Sequence, residues 1–209
     1  MKLKVCGMRE NNNIIDVSEL NPDYMGFIFY NKSKRFVTGD IPIISNKIEK
    51  IAVFVNETIE KVKDILCKYD INTVQLHGNE DVKFCADLKK NNFKIIKAFS
   101  IDENFDFECL KEFDKSCDYY LFDTKGSYPG GNGYKFNWQI LKNYKLIKPY
   151  FLSGGIGIGD TNDIIEFRKT KAGKFCFAID VNSMYEIEPG IKNVKKIKNL
   201  INNLKWVIT

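Results

Sequence analysis

Eight short apolar runs punctuate the chain, each separated from the next by a longer amphipathic stretch. The runs are 2–6 (KLKVC), 24–28 (YMGFI), 51–55 (IAVFV), 73–76 (TVQL), 94–99 (KIIKAF), 119–123 (YYLFD), 149–153 (PYFLS) and 176–180 (CFAID). The intervening stretches 10–20, 40–49, 57–69, 80–91, 106–117, 136–143, 160–170 and 193–205 read as helices, with start signals at Thr58 and Glu60 and at Asp160 and Thr161. Such strict alternation predicts a parallel sheet with crossover helices. Eight units in 209 residues fit an α/β chain folded as a compact (β/α)8 TIM barrel. A doubly wound open sheet is the competing arrangement, since one strand more or fewer would change the reading. No linker, low-complexity block or charge run marks a second domain, so 1–209 is expected to form a single (β/α)8 barrel domain.

Composition narrows the function classes. The chain is 44% hydrophobic and 28% charged, an ordinary balance for a globular protein. No apolar run approaches the roughly 18 residues a membrane span needs. The start, MKLKVCGM, holds neither a long apolar segment nor a small-residue cleavage site, so a cytoplasmic enzyme or binding protein is expected. Net charge is +5, but no nucleic-acid motif accompanies it, and the lysines of the last helix read as a solvated face. Six cysteines without a C-x-x-C pair are expected to be free thiols. With one histidine, His77, a structural zinc site or a hydrolase triad has little to draw on, and no metal is expected.

The strand ends carry the chemistry. Run 1 ends on Cys6-Gly7, run 2 leads to Ser33 and Arg35, and run 4 ends on His77-Gly78. Run 6 ends on Asp123, run 7 on Gly154-Gly155, and run 8 on Asp180 followed by Asn182 and Ser183. Barrel enzymes place their active sites at the C-terminal ends of the strands. Alternation puts Cys176, Ala178 and Asp180 on one face of the last strand, facing the barrel interior, and Phe177 and Ile179 on the other. The same parity turns Lys4 inward with Cys6, and a buried lysine requires an acidic or hydrogen-bonded partner.

Each candidate residue has a plain structural reading beside its chemical one. Cys6 alone reads as a buried apolar side chain, and Asp123 alone as a cap on the loop behind it. Together at one mouth, a thiol and a carboxyl make a base and an acid, provided the thiol can ionise and the carboxyl can hold a proton. Arg35 is either a surface arginine or a planar fork for a substrate carboxylate. His77 reads as a residue that orients a loop through its ring nitrogens. The run GSYPGGNGYK lacks the Lys-Ser/Thr pair of a Walker A loop, and GGIGIGD is one residue short of the dinucleotide fingerprint. The glycines 154 and 155 either permit a tight turn or, with the start of a short helix in NSMYEIEPG, cradle a phosphate.

Taken together, KVCGM (4–8), GFIFYNKSKRFV (26–37), VQLHGNE (74–80), FDTKGSYPGGNGYKFNW (122–138), LSGGI (152–156) and DVNSMYEIEPGIKN (180–193) resemble phosphoribosylanthranilate isomerase. The six stretches follow the family's order and span nearly the whole chain. The resemblance implies a cofactor-free enzyme of tryptophan biosynthesis acting on a small phosphosugar–anthranilate substrate by an Amadori rearrangement. It makes Cys6 the general base, Asp123 the general acid and Arg35 the ligand of the anthranilate carboxylate. Gly154, Gly155, Asn182 and Ser183 would hold the phosphate, and His77, Gly130, Gly131 and Asp180 would complete the pocket. A monomer or homodimer is expected. Asn182 and Met184 stand where the family commonly has serine and glycine, which bears on the phosphate contacts. Two alternatives stay open: another phosphosugar barrel such as indole-glycerol-phosphate synthase, and a non-catalytic barrel that binds a phosphate ligand.

Overall fold

A computed structural model describes residues 1–126 and 135–205. Eight parallel strands close into a barrel in sequence order: β1 (Lys2–Val5), β2 (Tyr24–Ile28), β3 (Glu49–Phe54), β4 (Thr73–Leu76), β5 (Lys94–Ile101), β6 (Tyr119–Thr124), β7 (Tyr150–Leu152) and β8 (Cys176–Val181). All eight coincide with the apolar runs to within two residues at either end. The α-helices are α1 (Asn11–Ser18), α2 (Ile59–Tyr69), α3 (Val82–Lys90), α4 (Thr161–Lys169) and α5 (Val194–Lys205). Their ends carry ordinary capping chemistry. Asp81 accepts from Phe84 N at 2.7 Å to start α3, and Asp70 ends α2 in the left-handed region with φ 50°.

Three expected helices differ. The stretch 40–49 forms no helix: Gly39 precedes it, Pro42 interrupts it and Ile43 is fully exposed, while Ile41, Ile44 and Ile48 pack toward the core from an irregular chain. Within 106–117 and 136–143 the chain forms 3-10 turns, Phe107–Phe113 and Trp138–Asn143. Each still buries apolar side chains, Phe107 with Leu110 and Trp138 with Leu141.

Alternation along the strands divides the core in two. Ile51, Val53, Ile96, Ala98, Leu121, Phe151 and Ala178 fill the barrel, while a larger apolar layer lies between strands and helices. At the N-terminal end of the barrel, Tyr24, Tyr119, Phe151 and Phe177 form an aromatic plug, with the Tyr119 and Phe177 rings 4.8 Å apart. That plug corrects the alternation expected for β8. A register shift against β7 puts Cys176 in the outer layer and turns Phe177 inward, after which Ala178 and Asp180 face the interior as expected.

Beyond β8, where a short helix is expected to start, Ser183–Tyr185 makes a single 3-10 turn. It leads into a two-stranded hairpin, β9 (Glu186–Glu188) and β10 (Ile191–Lys192), which turns through Pro189 and Gly190. Asn13 on α1 ties the hairpin down, accepting from Lys192 N at 2.7 Å and donating to Lys192 O at 2.9 Å.

Candidate active site

The open, C-terminal end of the barrel holds a cavity of about 730 Å³. Cys6, Arg35, His77 and Asp123 line it, as do Gly154, Gly155, Asp180, Asn182 and Ser183. Residues far apart in sequence are therefore brought to one mouth, as the strand ends suggested. Gly130 and Gly131 lie outside the described residues.

Cys6 follows β1 directly and continues its ladder, with its N–H donating to Val181 O at 2.9 Å. The thiol packs closely over Gly26 of β2, where a Cβ would come within 2.6 Å of Sγ. Below it lies Lys4, fully buried, with Nζ donating to Asp180 Oδ2 at 2.9 Å and to Gln75 Oε1 at 2.6 Å. The partner expected for an inward Lys4 is thus present twice. Burial works against the Lys4 ammonium, but Asp180 and the Cys6 thiol outweigh it and raise its pKa. Burial pushes the Cys6 thiol up, and Lys4 pulls in the other direction.

Asp123 stands near the end of β6, three strands from β1 around the ring by way of β7 and β8. Its Oδ1 accepts from Thr124 N at 2.9 Å and its Oδ2 lies 3.3 Å from His77 Nε2. His77 continues β4, donating its own N–H to Phe54 O at 2.8 Å. The turn after it is pinned by Glu80, whose carboxylate accepts from Gly78 N and Asn56 N and pairs with buried Lys97 at 3.0 Å. Gly78 has no room for a side chain because Asn56 fills that space.

Arg35 reaches the mouth because the loop after β2 folds back on itself. Phe36 bridges to Ile28, and Arg35 N donates to Ser33 Oγ at 3.1 Å. Its guanidinium does not face an empty pocket on every edge. Glu186 takes the Nε/Nη2 edge at 2.8 and 2.6 Å. Glu186 also accepts from buried Lys192 Nζ at 2.5 Å, and Lys192 donates to Asn182 Oδ1 at 2.7 Å. Burial lowers the Lys192 pKa to about 8 despite Glu186. Glu186 itself is held below its ordinary value: burial works to raise it, and its bonds to Arg35 and Lys192 outweigh that.

Gly154 and Gly155 have φ values of +93° and +62°, a conformation suited to glycine. A Cβ on Gly154 would also collide with Thr124, coming 2.7 Å from its backbone N. Among the described residues, no hydrogen bond engages the backbone N–H groups of Gly154, Gly155, Ser183 or Met184. Asn182 turns its oxygen to Lys192, which leaves its side-chain NH2 as the donor at the cavity. No cluster of three His, Cys, Asp or Glu suited to a metal ion occurs among the described residues.

Sequence reasoning missed Gln75, Glu186 and Lys192. Gln75 carried a signal, as the one uncharged amide in an otherwise apolar or small strand, TVQL. Glu186 and Lys192 carried none that local pattern reveals: Glu186 meets Arg35 from 151 residues away, and Lys192 meets Glu186 and Asn182 through the hairpin that forms after β8.

A parallel eight-stranded barrel with titratable side chains gathered at one cavity on its C-terminal mouth has the architecture of a (β/α)8 enzyme. The family model for N-(5′-phosphoribosyl)anthranilate (PRA) isomerase matches residues 3–203, and the chain belongs to that family. The chain is 42% identical to the N-(5′-phosphoribosyl)anthranilate isomerase of Parabacteroides distasonis, over 98% of this chain and 93% of the relative. The crystal structure of phosphoribosyl anthranilate isomerase from Thermotoga maritima superimposes with a TM-score of 0.82 at 29% identity, covering 99% of both chains. That protein is dimeric. A further isomerase structure, in complex with reduced 1-(o-carboxyphenylamino)-1-deoxyribulose 5-phosphate, superimposes with a TM-score of 0.80 at 28% identity and 99% coverage of both chains.

Proposed function

We propose that the chain performs its family's reaction with Cys6 as general base and Asp123 as general acid. It is an isomerase of tryptophan biosynthesis. The reaction converts N-(5-phospho-β-D-ribosyl)anthranilate to 1-(2-carboxyphenylamino)-1-deoxy-D-ribulose 5-phosphate. The observation that carries the residue assignment is the position of Cys6 and Asp123 on strands set across one cavity.

Asp123 gives its proton to the furanose ring oxygen as the anthranilate nitrogen lone pair opens the ring to a protonated Schiff base. Cys6, as thiolate, then takes the proton from C2′. The electron pair left on C2′ moves toward the iminium carbon and yields an enolamine, which tautomerises to the aminoketone. Lys4 beneath the sulfur favours the thiolate that this step needs. Arg35 holds the anthranilate carboxylate through the Nη1/Nη2 end that Glu186 leaves free among the described residues. Gly154, Gly155 and Ser183 offer backbone N–H groups to the phosphate, and Asn182 offers its side-chain NH2 beside them. Asp180 and His77 line the pocket floor, and no cofactor takes part.

This reading also has residues 1–209 as one barrel, acting as a cytoplasmic monomer or homodimer on a free small molecule, without nucleic acid or membrane. Among the described residues no helix is long and apolar enough to cross a membrane. The test is an anthranilate-fluorescence assay with freshly generated substrate. Wild type should deplete the signal, while Cys6→Ser and Asp123→Asn should each lose at least about 100-fold in kcat. Full turnover in both variants would refute the assignment of base and acid.

A further inference from the structure

Four side chains form a line across the barrel mouth, hydrogen-bonded from Lys4 to His77 and ending at Asp123 within ion-pair distance. Lys4 Nζ meets Gln75 Oε1 at 2.6 Å, Gln75 Nε2 meets His77 Nδ1 at 2.7 Å, and His77 Nε2 faces Asp123 Oδ2 at 3.3 Å. Lys4, Gln75 and Asp123 are 0%, 1% and 5% exposed, while His77 is partly exposed to the cavity, so the Lys4–Gln75 end of the line is shielded from water.

The direction of each bond follows from what its ends can do. An ammonium only donates, so it fixes the Gln75 oxygen toward Lys4 and the amide nitrogen toward the imidazole. The amide nitrogen also only donates, so His77 Nδ1 must accept and carries no proton. Turning the amide over would set its NH2 against the Lys4 ammonium. A neutral imidazole with a bare Nδ1 bears its proton on Nε2, and Nε2 faces Asp123.

We infer that Gln75 is a positioning residue that locks His77 as the neutral Nε2–H tautomer, so that a proton taken up by this corner goes to Asp123 and not to the imidazole. The inference rests on the reading of Asp123 as the acid. Imidazole is ordinarily more basic than a carboxyl by about 2.6 pK units. An unconstrained His–Asp pair would therefore settle as imidazolium and carboxylate, and Asp123 would have no proton to give. Asp123 on β6 and Asp180 on β8 both favour that ion pair, while Lys4 on β1 opposes it; behind the turn, Lys97 and Glu80 neutralise each other. The Gln75 lock acts against the ion pair directly. A second ring proton would point from Nδ1 into the Gln75 N–H, with no acceptor within the line.

The chain has one histidine, so ring-15N labelling of the full protein reports His77 alone. Wild type should show Nδ1 bare and Nε2 protonated at neutral pH. Gln75→Glu places an acceptor of the same length opposite Nδ1. It should protonate Nδ1 and cut kcat by at least about tenfold while KM stays within about twofold. His77→Leu should lose at least about 100-fold in kcat, and His77→Gln, whose amide nitrogen can donate to Asp123 without titrating, should recover most of it. An imidazolium or an Nδ1–H tautomer in wild type would overturn the inference, as would a His77→Gln variant no better than His77→Leu. The nitrogen signals are read without turnover. A wrong tautomer therefore refutes the lock by itself, whereas a fully active Asp123→Asn variant refutes the acid assignment beneath it.

Discussion

Glu186 grips Arg35 along one edge of the guanidinium, with Nε donating to Oε1 and Nη2 to Oε2, and fixes the plane in which the opposite end faces the cavity. Planarity makes this an orienting contact as well as an ionic one. Arg35→Lys keeps the charge and loses the plane. It should raise KM by about tenfold with a smaller effect on kcat, because the carboxylate contact is made equally in ground and transition states. Glu186→Gln strips Arg35 of its partner and removes the anion that keeps buried Lys192 charged. Unfolding in urea should show a loss on the order of 3 kcal/mol.

Lys192 links this network to pH. Its folded pKa of about 8 lies below the ordinary 10.5 because burial outweighs Glu186. Between those values the unfolded chain holds the proton and the folded chain has released it. The unfolded state thus binds more protons, and stability rises with pH across that window. Lys192→Met removes the titration. Wild-type stability minus that of the variant should grow by up to about 3 kcal/mol from pH 8 to 10.5, measured by denaturant unfolding at each pH. Lys4 titrates in both proteins and drops out of the difference. A flat difference would mean that Lys192 keeps an ordinary pKa.

Gly26 tests how tightly the thiol is held. A methyl there would come 2.6 Å from Cys6 Sγ and 3.1 Å from both Cys6 Cα and Lys4 Cε. Gly26 is absent from the residues with positive φ, so the substitution meets a contact and no backbone strain. Gly26→Ala should fold with a stability loss of about 1–3 kcal/mol. Turnover should fall by about 100-fold as the sulfur is displaced from the reacting carbon. Near-normal kcat in a folded variant would show that the sulfur position is not critical.

The parts of this molecule that could be read from sequence are those set by local pattern. Every barrel strand is an apolar run, and a strand's end is where its run stops, so Cys6, His77, Asp123 and Asp180 were legible at the mouth. The inward turn of Lys4 followed from parity with Cys6. Parity failed in β8 because one register shift against β7 reverses Cys176 and Phe177, and a sequence carries no mark of such a shift. The stretch 40–49 looks helical by its place in the alternation, but Pro42 breaks it, and Ile41, Ile44 and Ile48 reach the core from an irregular chain. The Arg35–Glu186–Lys192 network and the Gln75 link join residues 151 and 71 positions apart. Such pairings exist only once the barrel has closed, which is why no spacing announced them.

Lys4 and Cys6 give the last prediction. Burial raises the thiol and Lys4 counters it, so removing the lysine should raise the thiol further. In Lys4→Met, alkylation of Cys6 near neutral pH should slow by about tenfold or more, since the thiolate is the reacting form. Cys67 and Cys109 are exposed and react on their own, so the Cys6 peptide is followed by mass spectrometry. The same variant strands Asp180 at 5% exposure without its cation. Its stability should fall by about 3–5 kcal/mol, and adding Asp180→Asn should restore most of that loss. The two readouts separate the lysine's two roles: the double variant regains stability because no buried charge is left unpaired. Its Cys6 should react faster than in Lys4→Met, because Asp180 also raises the thiol, and slower than in wild type, because Lys4 has the larger effect. Wild-type alkylation in both variants would mean that Lys4 supports the barrel floor and has no part in activating the sulfur.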